Sequence, residues 1–242
     1  GVEYAMGTAV QGILQKDGRV TGVETTRGTV RCDMVVNAAG AHAYHIAMLV
    51  GLDLPIVPVR HEFLVSVESA GLEPDLPVLR SPDATLYARA EVNGLLLGGW
   101  EPRALSVEPD SFPLGSAPPR IAEDWEVLAA FAQQLAPLYG KVNELGIRSV
   151  FKGWPTFTPD GRFIIGESSR VKGFVMAGGC NAHGVSGSAG IGRHVVESIL
   201  EDEPSPYVTS LSPDRFTETA WDWHTAGEQA RRVYETYYAI GH

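Results

Sequence analysis

The sequence predicts a mixed α/β (α+β) fold, in which strand–loop–helix units and an antiparallel sheet occur in one chain. Two observations carry this prediction. Residues 153–192 contain two short apolar runs, a pair of glycines and then a helical pattern. Residues 54–100 are punctuated by proline and contain a hairpin signal, with no helical pattern between their apolar runs.

Residues 1–53 are predicted to form a hairpin, a buried strand and a helix. The hairpin turns at Asp17-Gly18, a dipeptide typical of tight β-turns. The apolar run 30–37 predicts a buried strand that leads into Ala38-Ala39-Gly40. Small residues after a strand are where open α/β sheets bind ligands, so this loop is a candidate site. Residues 41–51 then predict a helix that ends in glycine.

Residues 54–152 are predicted to form the antiparallel sheet together with one helix. The segment 74–82 is rich in proline and is predicted to be a loop. Residues 85–100 form two apolar runs around an Asn-Gly turn, which indicates a second hairpin. Apolar residues at helical spacing in 121–138 predict an amphipathic helix, and 142–152 predict a returning strand.

The glycine-rich stretch 153–192 is predicted to hold a second candidate site. A turn at Thr158-Pro159-Asp160-Gly161 precedes a strand, and a second apolar run ends at Gly178-Gly179. The helix predicted for 186–200 begins with small residues, although glycine lowers helix propensity. Free amide groups at such a start suit an anion or a carbonyl oxygen. Close packing of the helix on the strand explains the glycines equally well.

Charge and composition narrow the functional classes. The 242 residues carry a formal net charge of −10 without a visible cluster of Lys and Arg, which argues against nucleic-acid binding. No apolar run approaches the length that spans a bilayer, and the N-terminus lacks a secretory signal pattern. We therefore expect no membrane partner and a soluble protein of the cytoplasm or of an organelle matrix.

Neither disulfides nor metal ions are expected. Cys32 and Cys180, the two cysteines, are far apart in sequence and have no CxxC spacing. His42 and His45 lie one helical turn apart and could share a metal ion, but no third ligand is near them in sequence. The sequence therefore predicts two free thiols and no metal site.

Four segments together resemble the D-amino-acid oxidase superfamily of FAD-dependent oxidoreductases, most closely its sarcosine/dimethylglycine dehydrogenase branch. They are VVNAAGAHA at 35–43, PVRHEFLV at 58–65, LYARAEVNGLLLGGWE at 86–101 and FKGWPTFTPDG at 151–161. The resemblance implies FAD as cofactor and a Rossmann-like FAD-binding domain combined with an antiparallel substrate domain. The implied boundaries are 1–53 and 153–204 for the FAD-binding part, 54–152 for the substrate domain and 205–242 for a tail with a helix.

The resemblance also implies which residues contact FAD. Val10 would lie against the adenine, and the loop after residue 37 would pass the diphosphate. The family usually has tryptophan where this chain has His42, and some members have lysine where it has Ser186. Others attach flavin through a cysteine at the position of Gly153, so that linkage is not expected here. The implied cofactor-binding set is Val10, Ala38, Ala39, Gly40, Gly153, Gly178, Gly179, Asn181, His183, Gly184, Val185 and Ser186.

The substrate pocket is expected on the antiparallel sheet, which in the family forms the roof of the active site. Aromatic side chains would bind a methylated ammonium group by cation–π contact, and an arginine would bind a carboxylate. The candidates are Arg60, Tyr87, Arg89, Trp100 and Trp154. Nothing in the sequence chooses between the two arginines, and Tyr87 and Trp154 could equally be core residues.

Tyr87, Arg89 and His183 are the predicted catalytic residues. The helix start at 184–187, together with His183, would supply positive potential to the pyrimidine edge of the flavin. His183 could equally be a loop histidine that is bonded to the backbone. The sequence leaves these two interpretations open.

The implied function is hydride transfer from the carbon next to the nitrogen of an N-methylated or secondary amino acid, a small-molecule amine substrate, to flavin. Residues 1–16 contain no GxGxxG unit, which this family uses to hold the ADP half of FAD. We therefore expect a longer polypeptide, or a partner chain, to supply that unit. Two alternatives stay open. One is a flavin enzyme of another branch, acting on a 2-hydroxy acid, a D-amino acid or glycine, and the other is a flavin-free interaction module.

Overall fold

The structure is a computed structural model that describes residues 1–68 and 72–237. The chain forms two compact units, each built from several segments. Unit 1 consists of Gly1–Pro58, Val107–Pro119 and Pro155–Ala230, and unit 2 consists of Val59–Ser106, Arg120–Trp154 and the residues from Arg231 on.

The described residues form strands and helices in the following order. The strands are β1 (Val10–Lys16), β2 (Arg19–Thr25), β3 (Gly28–Arg31), β4 (Val35–Asn37), β5 (Val57–Pro58), β6 (His61–Ser66), β7 (Leu79–Ser81), β8 (Leu86–Glu91), β9 (Gly94–Gly99), β10 (Ile147–Gly153), β11 (Thr156–Phe157), β12 (Ile164–Ser168) and β13 (Val171–Gly178). The helices are α1 (Ala43–Met48), α2 (Trp125–Leu135), α3 (Ser188–Leu200), α4 (Pro206–Thr209), α5 (Asp214–Thr217) and α6 (Trp223–Glu235), and short 3-10 turns lie at Gly40–His42, Pro109–Ser111 and Gly140–Glu144.

A six-stranded sheet organises unit 1. Its main path is β1-β2-β13-β12, with β3 paired to β2 and β4 paired to β13. The pairs of β13 with β4 and with β2 are parallel, whereas β12 pairs with β13 in the antiparallel sense. Because Met176 lies opposite Asn37, β13 and β4 end at the same edge of the sheet. Separate β5 and β11 form a two-stranded ladder.

A glycine permits the close approach that starts the β13–β4 pairing. Gly173 has a φ of +80°, and a Cβ atom at this position would lie 2.3 Å from the backbone oxygen of Asp33. Next to it, Phe174 and Met176 are fully buried in a core that also contains Ile46 and Ala47 of α1. Gly173 thus lets the connection before β4 lie directly against β13. Phe174 and Met176 then pack β13 on α1.

The sequence-based elements of unit 1 are present, but the predicted helix 41–51 is shorter, since α1 covers Ala43–Met48, and one predicted strand is wrong. The hairpin at Asp17-Gly18 is present as β1 and β2, and both turn residues have positive φ. The single buried strand predicted for 30–37 is wrong, because the structure has two strands there. β3 is exposed and extends the ladder of β2, whereas β4 pairs with β13 on the other side of a break at 32–34. The chain changes its pairing partner at this break, from β2 to β13.

Unit 2 contains the predicted antiparallel sheet, whose strand order is β10-β6-β9-β8-β7. α2 packs on one face of it and buries Leu128, Phe131 and Leu135. The predicted helix 121–138 is shorter, since the Asp124 side chain accepts a hydrogen bond from Val127 N at 3.2 Å and caps the helix just before Trp125. β7 lies within the segment predicted as a proline-rich loop, so that prediction missed an edge strand.

The C-terminal segment contains α4, α5 and α6. For the helix of the tail, the sequence predicts residues 225–238. In the structure this helix begins at Trp223 and ends at Glu235, and residue 238 lies outside the described residues. Ala226, Ala230 and Tyr234 of α6 are almost fully buried. Within the described part of the chain, no helix is long and apolar enough to cross a membrane.

We predict that Gly173→Ala destabilises unit 1 strongly. The new methyl group combines a positive φ with a clash against Asp33, and we expect the free energy of unfolding to fall by about 3 kcal/mol. Gly18→Ala is the matched control, because its φ is +73° but no atom lies within 4 Å of a Cβ there. It should cost about 1 kcal/mol. Urea unfolding measures both, and equal losses in the two variants would contradict the proposed role of the close contact.

Candidate functional site

Two of the predicted cofactor loops lie at the same edge of the unit 1 sheet. Ala38, Ala39 and Gly40 follow β4 and are exposed, and Gly178 ends the adjacent parallel strand β13. The buried Asn37 shapes the first loop: its Nδ2 donates to Ala43 O at 2.8 Å, and its Oδ1 accepts from Ala39 N at 3.3 Å. The sequence interpretation did not single out this asparagine, although it stands inside the motif VVNAAGAHA.

The loop after β13 is held in a tight, left-handed path. Gly179, Asn181 and Ala182 have φ values of +57°, +45° and +63°. Asn181 is buried, and its Oδ1 accepts from the backbone nitrogen of Thr158 at 3.0 Å. Its Nδ2 has no hydrogen-bond partner among the described residues. A buried donor of this kind is costly unless a group is bound there.

The start of α3 presents backbone rather than side chains. Gly187 is the N-cap, and no side chain caps the helix. A Cβ atom built at Gly184, Gly190 or Gly192 would have no described atom within 4 Å. Gly187 differs, since its Cβ would lie 2.9 Å from His183 O. These glycines therefore leave an open surface at the positive end of the helix, whereas Gly187 is needed for the close approach of the His183 backbone.

The remaining predicted residues of this region occupy different environments. Val185 is 90% exposed and Ser186 is exposed, so neither packs in the core of unit 1. His183 is partly buried, and its Nδ1 lies 2.8 Å from Asn181 O. The loop-histidine interpretation therefore fits this contact. Val10 starts β1 and is partly buried against the unit 1 core, opposite Thr25.

The spacing of four apolar residues predicts one buried face of α3, formed by Ile191, Val195, Val196 and Ile199, and this prediction needs one correction. Ile191 and Val195 are buried as expected, but Val196 is 52% exposed. A helix turns by about 100° per residue, so two consecutive valines cannot both point at the same sheet.

Unit 2 carries an aromatic surface on the sheet face that α2 does not cover. We call it the aromatic face, and its residues are His61, Phe63, Tyr87, Trp100 and Phe151. Tyr87, Gly98, Phe63 and Phe151 stand opposite one another across four strands. Phe63 and Phe151 stack with their ring centroids 5.0 Å apart, and His61 stacks on Trp100 at 4.8 Å. Two predicted substrate residues, Tyr87 and Trp100, are thus brought together.

The pair Gly98-Gly99 makes room on both faces of this sheet. A Cβ atom at Gly98 would lie 2.5 Å from Tyr87 Oη and 2.8 Å from Phe63 Cβ on the aromatic face. A Cβ at Gly99 would lie 2.4 Å from Phe131 Cε1, on the face that α2 covers. Gly98 therefore lets the Tyr87 ring lie flat across the sheet, which the sequence interpretation did not anticipate.

Hydrogen bonds connect the aromatic face with buried polar groups. Tyr87 Oη lies 2.9 Å from His61 Nε2, and His61 Nδ1 lies 3.0 Å from Tyr234 Oη. Tyr234 in turn donates to the Glu101 carboxylate. His61 and Glu101 stand in the motifs PVRHEFLV and LLLGGWE, but no pattern in the sequence shows that they share a network with Tyr234.

The two candidate arginines have different surroundings. Arg60 is buried and forms ion pairs with Glu101 at 3.3 Å and Asp124 at 2.9 Å. Arg89 lies on the aromatic face beside Tyr87, and its half-exposed guanidinium pairs with Glu91 at 2.5 Å. Arg60 is therefore occupied by ion pairs with carboxylates of unit 2. Arg89, in contrast, lies on the aromatic face.

The other predicted residues of unit 2 lie at the end of β10. Gly153 pairs with His61 in the ladder of β10 and β6, and a Cβ at Gly153 would have no described atom within 4 Å. Trp154 follows it and is partly buried.

The two histidines of α1 have structural contacts. His45 Nε2 donates to the backbone oxygens of Pro109 and Phe112, both at 2.7 Å. Burial and the neighbouring His45 lower the pKa of His42. In the described ranges, no group of three or more His, Cys, Asp or Glu side chains is arranged to hold a metal ion.

The turn 158–161 is fastened to the C-terminal segment by Arg215. Its Nε donates to Asp160 Oδ2 at 2.8 Å, and its terminal nitrogens donate to the backbone oxygens of Arg162 and Phe163. Burial by itself raises the pKa of Asp160, but the hydrogen bond and charge of Arg215, together with hydrogen bonds from Arg162 and Thr158, lower the pKa overall. The contact holds the turn against which Asn181 is bonded.

We predict that Asp160→Asn destabilises the protein at neutral pH by about 1 kcal/mol or less, as a partly exposed ion pair does. Because the folded pKa lies below the ordinary value of 3.8, the wild-type advantage should be present above that pH and be lost as the pH falls through the folded pKa. Urea unfolding between pH 7 and 3 measures it, with Asp202→Asn on an exposed loop as control. A difference that stays constant down to pH 3 would argue against the ion pair as its origin.

We predict that Gly98→Ala pushes the Tyr87 ring away from His61. The crowding should cost about 1–3 kcal/mol of unfolding free energy. The matched control is Gly153→Ala, in the same sheet but next to open space. A crystal structure of each variant gives the Tyr87–His61 distance. An unchanged 2.9 Å contact in Gly98→Ala would show that Gly98 does not position Tyr87.

Comparison with known proteins agrees with these features. A model of the FAD dependent oxidoreductase family, DAO, matches residues 1–198. The 4-methylaminobutanoate oxidase (formaldehyde-forming) of Paenarthrobacter nicotinovorans is 28% identical over 217 residues, which are 90% of this chain and 26% of that protein. Human mitochondrial dimethylglycine dehydrogenase is 29% identical over 227 residues, or 89% of this chain and 25% of that protein.

Solved structures have a similar fold. The crystal structure of L-proline dehydrogenase from P. horikoshii superposes with a TM-score of 0.73 at 23% identity and covers 87% of this chain and 54% of that one. The chain spans about a quarter of the length of the curated relatives it matches. The family match over residues 1–198 extends from β1 to α3 and includes every motif on which the resemblance was based. The chain therefore belongs to the FAD dependent oxidoreductase family.

Proposed function

We propose that the protein of which this chain is part is a FAD-dependent oxidoreductase that oxidises N-methylated or secondary amino acids at the carbon next to nitrogen. One observation carries the choice of substrate: the half-exposed Arg89 lies on the same face of the sheet as the partly buried ring of Tyr87. The names of two relatives, 4-methylaminobutanoate oxidase and dimethylglycine dehydrogenase, denote N-methylated amino acids and support the same class.

Unit 1 supplies the residues that would hold the cofactor. The exposed loop Ala38–Gly40, the glycine pair 178–179 and the bare start of α3 fit a large planar group with negative charge. The buried Nδ2 of Asn181 is a donor that such a group could satisfy. When bound, FAD accepts a hydride from the carbon next to an amine nitrogen. Val10 and residues 183–186 complete the proposed cofactor-binding set of unit 1.

The amine and the carboxylate of the substrate would be bound by different groups. The ring of Tyr87 would attract a methylated ammonium group through its negative face. Trp100 is buried and stacks with His61 and Tyr237, so it would support the pocket from behind rather than contact the ammonium group. The guanidinium of Arg89 would bind the carboxylate through charge-assisted hydrogen bonds. We assign this role to Arg89 rather than Arg60, because Arg60 is buried between Glu101 and Asp124, whereas the guanidinium of Arg89 is half-exposed although it pairs with Glu91. In this proposal, His183 and the first turn of α3 provide positive potential to the cofactor.

The experiment uses the full-length protein. If the proposal is right, the purified protein is yellow, and under anaerobic conditions its visible absorbance is bleached by sarcosine or dimethylglycine. Glycine, a D-amino acid and a 2-hydroxy acid are included to test the other branches. Bleaching only by one of those would replace the substrate class, and a colourless full-length protein would favour the flavin-free interaction module.

We predict that Arg89→Gln raises KM for the amino acid by about 10- to 100-fold, which corresponds to the loss of a hydrogen bond to a charged group. The bound flavin and the kcat should change much less, because Arg89 lies in unit 2 and contacts the carboxylate in this proposal. Arg148→Gln removes the same charge from another exposed position of the same sheet and is the control. Steady-state kinetics give KM for both variants. Equal KM values in Arg89→Gln and Arg148→Gln would show that Arg89 does not bind the substrate.

A further inference from the structure

A line of four buried or partly buried groups begins on the aromatic face and continues into the interior of unit 2. It connects Tyr87, His61, Tyr234 and Glu101 through contacts of 2.9 Å and 3.0 Å and the hydrogen bond from Tyr234 to Glu101. Tyr234 is fully buried and lies in the last turns of α6, 133 residues beyond Glu101 in sequence. All four belong to unit 2.

The direction of these hydrogen bonds follows from the Glu101 end. Arg60 lies 3.3 Å from Glu101 and favours its ionised form, although burial raises the pKa of this carboxyl. An ionised carboxylate only accepts, so the Tyr234 hydroxyl must donate to it. The single proton of that hydroxyl is then used. Tyr234 Oη can therefore only accept from His61, which requires a proton on His61 Nδ1.

The second nitrogen of His61 is then defined as well. The ring is stacked on Trp100, and burial lowers the pKa of His61 to about 4, so the imidazole is neutral at physiological pH. A neutral imidazole with its proton on Nδ1 has a bare Nε2. Nε2 therefore accepts the hydroxyl proton of Tyr87, at 2.9 Å. The groups that face the ring are Tyr87 of β8, Trp100 beyond β9 and Tyr234 of α6.

We propose that Tyr234, held by Glu101, is a positioning residue that fixes His61 in the Nδ1–H form and thereby turns the Tyr87 hydroxyl proton away from the substrate. The Tyr87 oxygen then offers its lone pairs to a donor such as the N–H of an ammonium substrate. This last step rests on the proposed function, whereas the state of His61 does not. A helix from the C-terminal segment would thus set the polarity of a side chain on the sheet.

The decisive measurement is the tautomer of His61, observed by 15N solid-state NMR of the full-length protein labelled at histidine. The His61 signal is identified by its loss in His61→Gln. In the wild type we expect a protonated Nδ1 and a bare Nε2 between pH 6 and 8. In Tyr234→Phe, which keeps the ring but loses both hydrogen bonds, we expect the Nε2–H form to become populated. A wild-type Nε2–H form, or an unchanged tautomer in Tyr234→Phe, overturns the proposal.

A control separates the hydroxyl from a general loosening of α6. Glu235, the next residue, accepts a hydrogen bond from Ala104 N at 2.8 Å, and Glu235→Ala removes this tether without touching the imidazole. It should leave the tautomer of His61 unchanged. An equal shift in Glu235→Ala and Tyr234→Phe would show that the position of the helix, not the hydroxyl, is responsible, and would also overturn the proposal.

Kinetics then distinguish this inference from the proposed function. In Tyr234→Phe we expect kcat with an N-methylated amino acid to fall about tenfold, the value of one hydrogen bond, with a smaller change in KM. If the tautomer shifts but kcat does not change, the link to Tyr87 fails, while the state of His61 stands. If no amine reduces the wild-type protein, the proposed function fails, and the NMR result is still valid.

Discussion

The parallel pairing of β13 with β4 is the constraint on which the arrangement of unit 1 depends. Parallel neighbours end at the same edge of a sheet, so the loop 38–40 and the glycines 178–179 necessarily lie together. The pairing in turn needs the contact between Gly173 and Asp33 O, which excludes any side chain. From that edge the chain passes through Gly179, Asn181 and Ala182, all in the left-handed conformation, and on to α3. The open helix start lies where it does because of this sequence of constraints.

In unit 2, large aromatic rings pack on both faces of the sheet. The adjacent glycines 98 and 99 remove bulk from opposite faces, so that Tyr87 and Phe131 can each cross the strand. Unit 2 also buries three charged residues, Arg60, Glu62 and Glu101. Burial raises the pKa of Glu62 as it does that of Glu101. Buried charges of this kind contribute little net stability, but removing one partner leaves an uncompensated charge, so the cluster favours a single arrangement.

The two units differ in the chemical groups that they offer to a ligand. Unit 1 offers backbone amides, glycines and a helix N-terminus, which suit an anionic, planar group. Unit 2 offers aromatic rings, the half-exposed Arg89 and the Tyr87 hydroxyl beside His61, and we propose that these groups bind a small molecule with an ammonium and a carboxylate group. Membership of the FAD dependent oxidoreductase family is consistent with both surfaces. The chain spans about a quarter of the length of its curated relatives, so the substrate assignment concerns the whole protein.

The sequence by itself determined the local elements and the family. Turn dipeptides such as Asp17-Gly18, apolar runs and the motif TPDG specify their own backbone, and these predictions are confirmed because each depends on a few adjacent residues. The break at 32–34 was missed, because only pairing with two different strands reveals it. The tertiary structure alone decided that Arg60 is neutralised by Asp124 and that Tyr234 bonds His61. Those contacts join residues far apart in the chain, and no local periodicity encodes them.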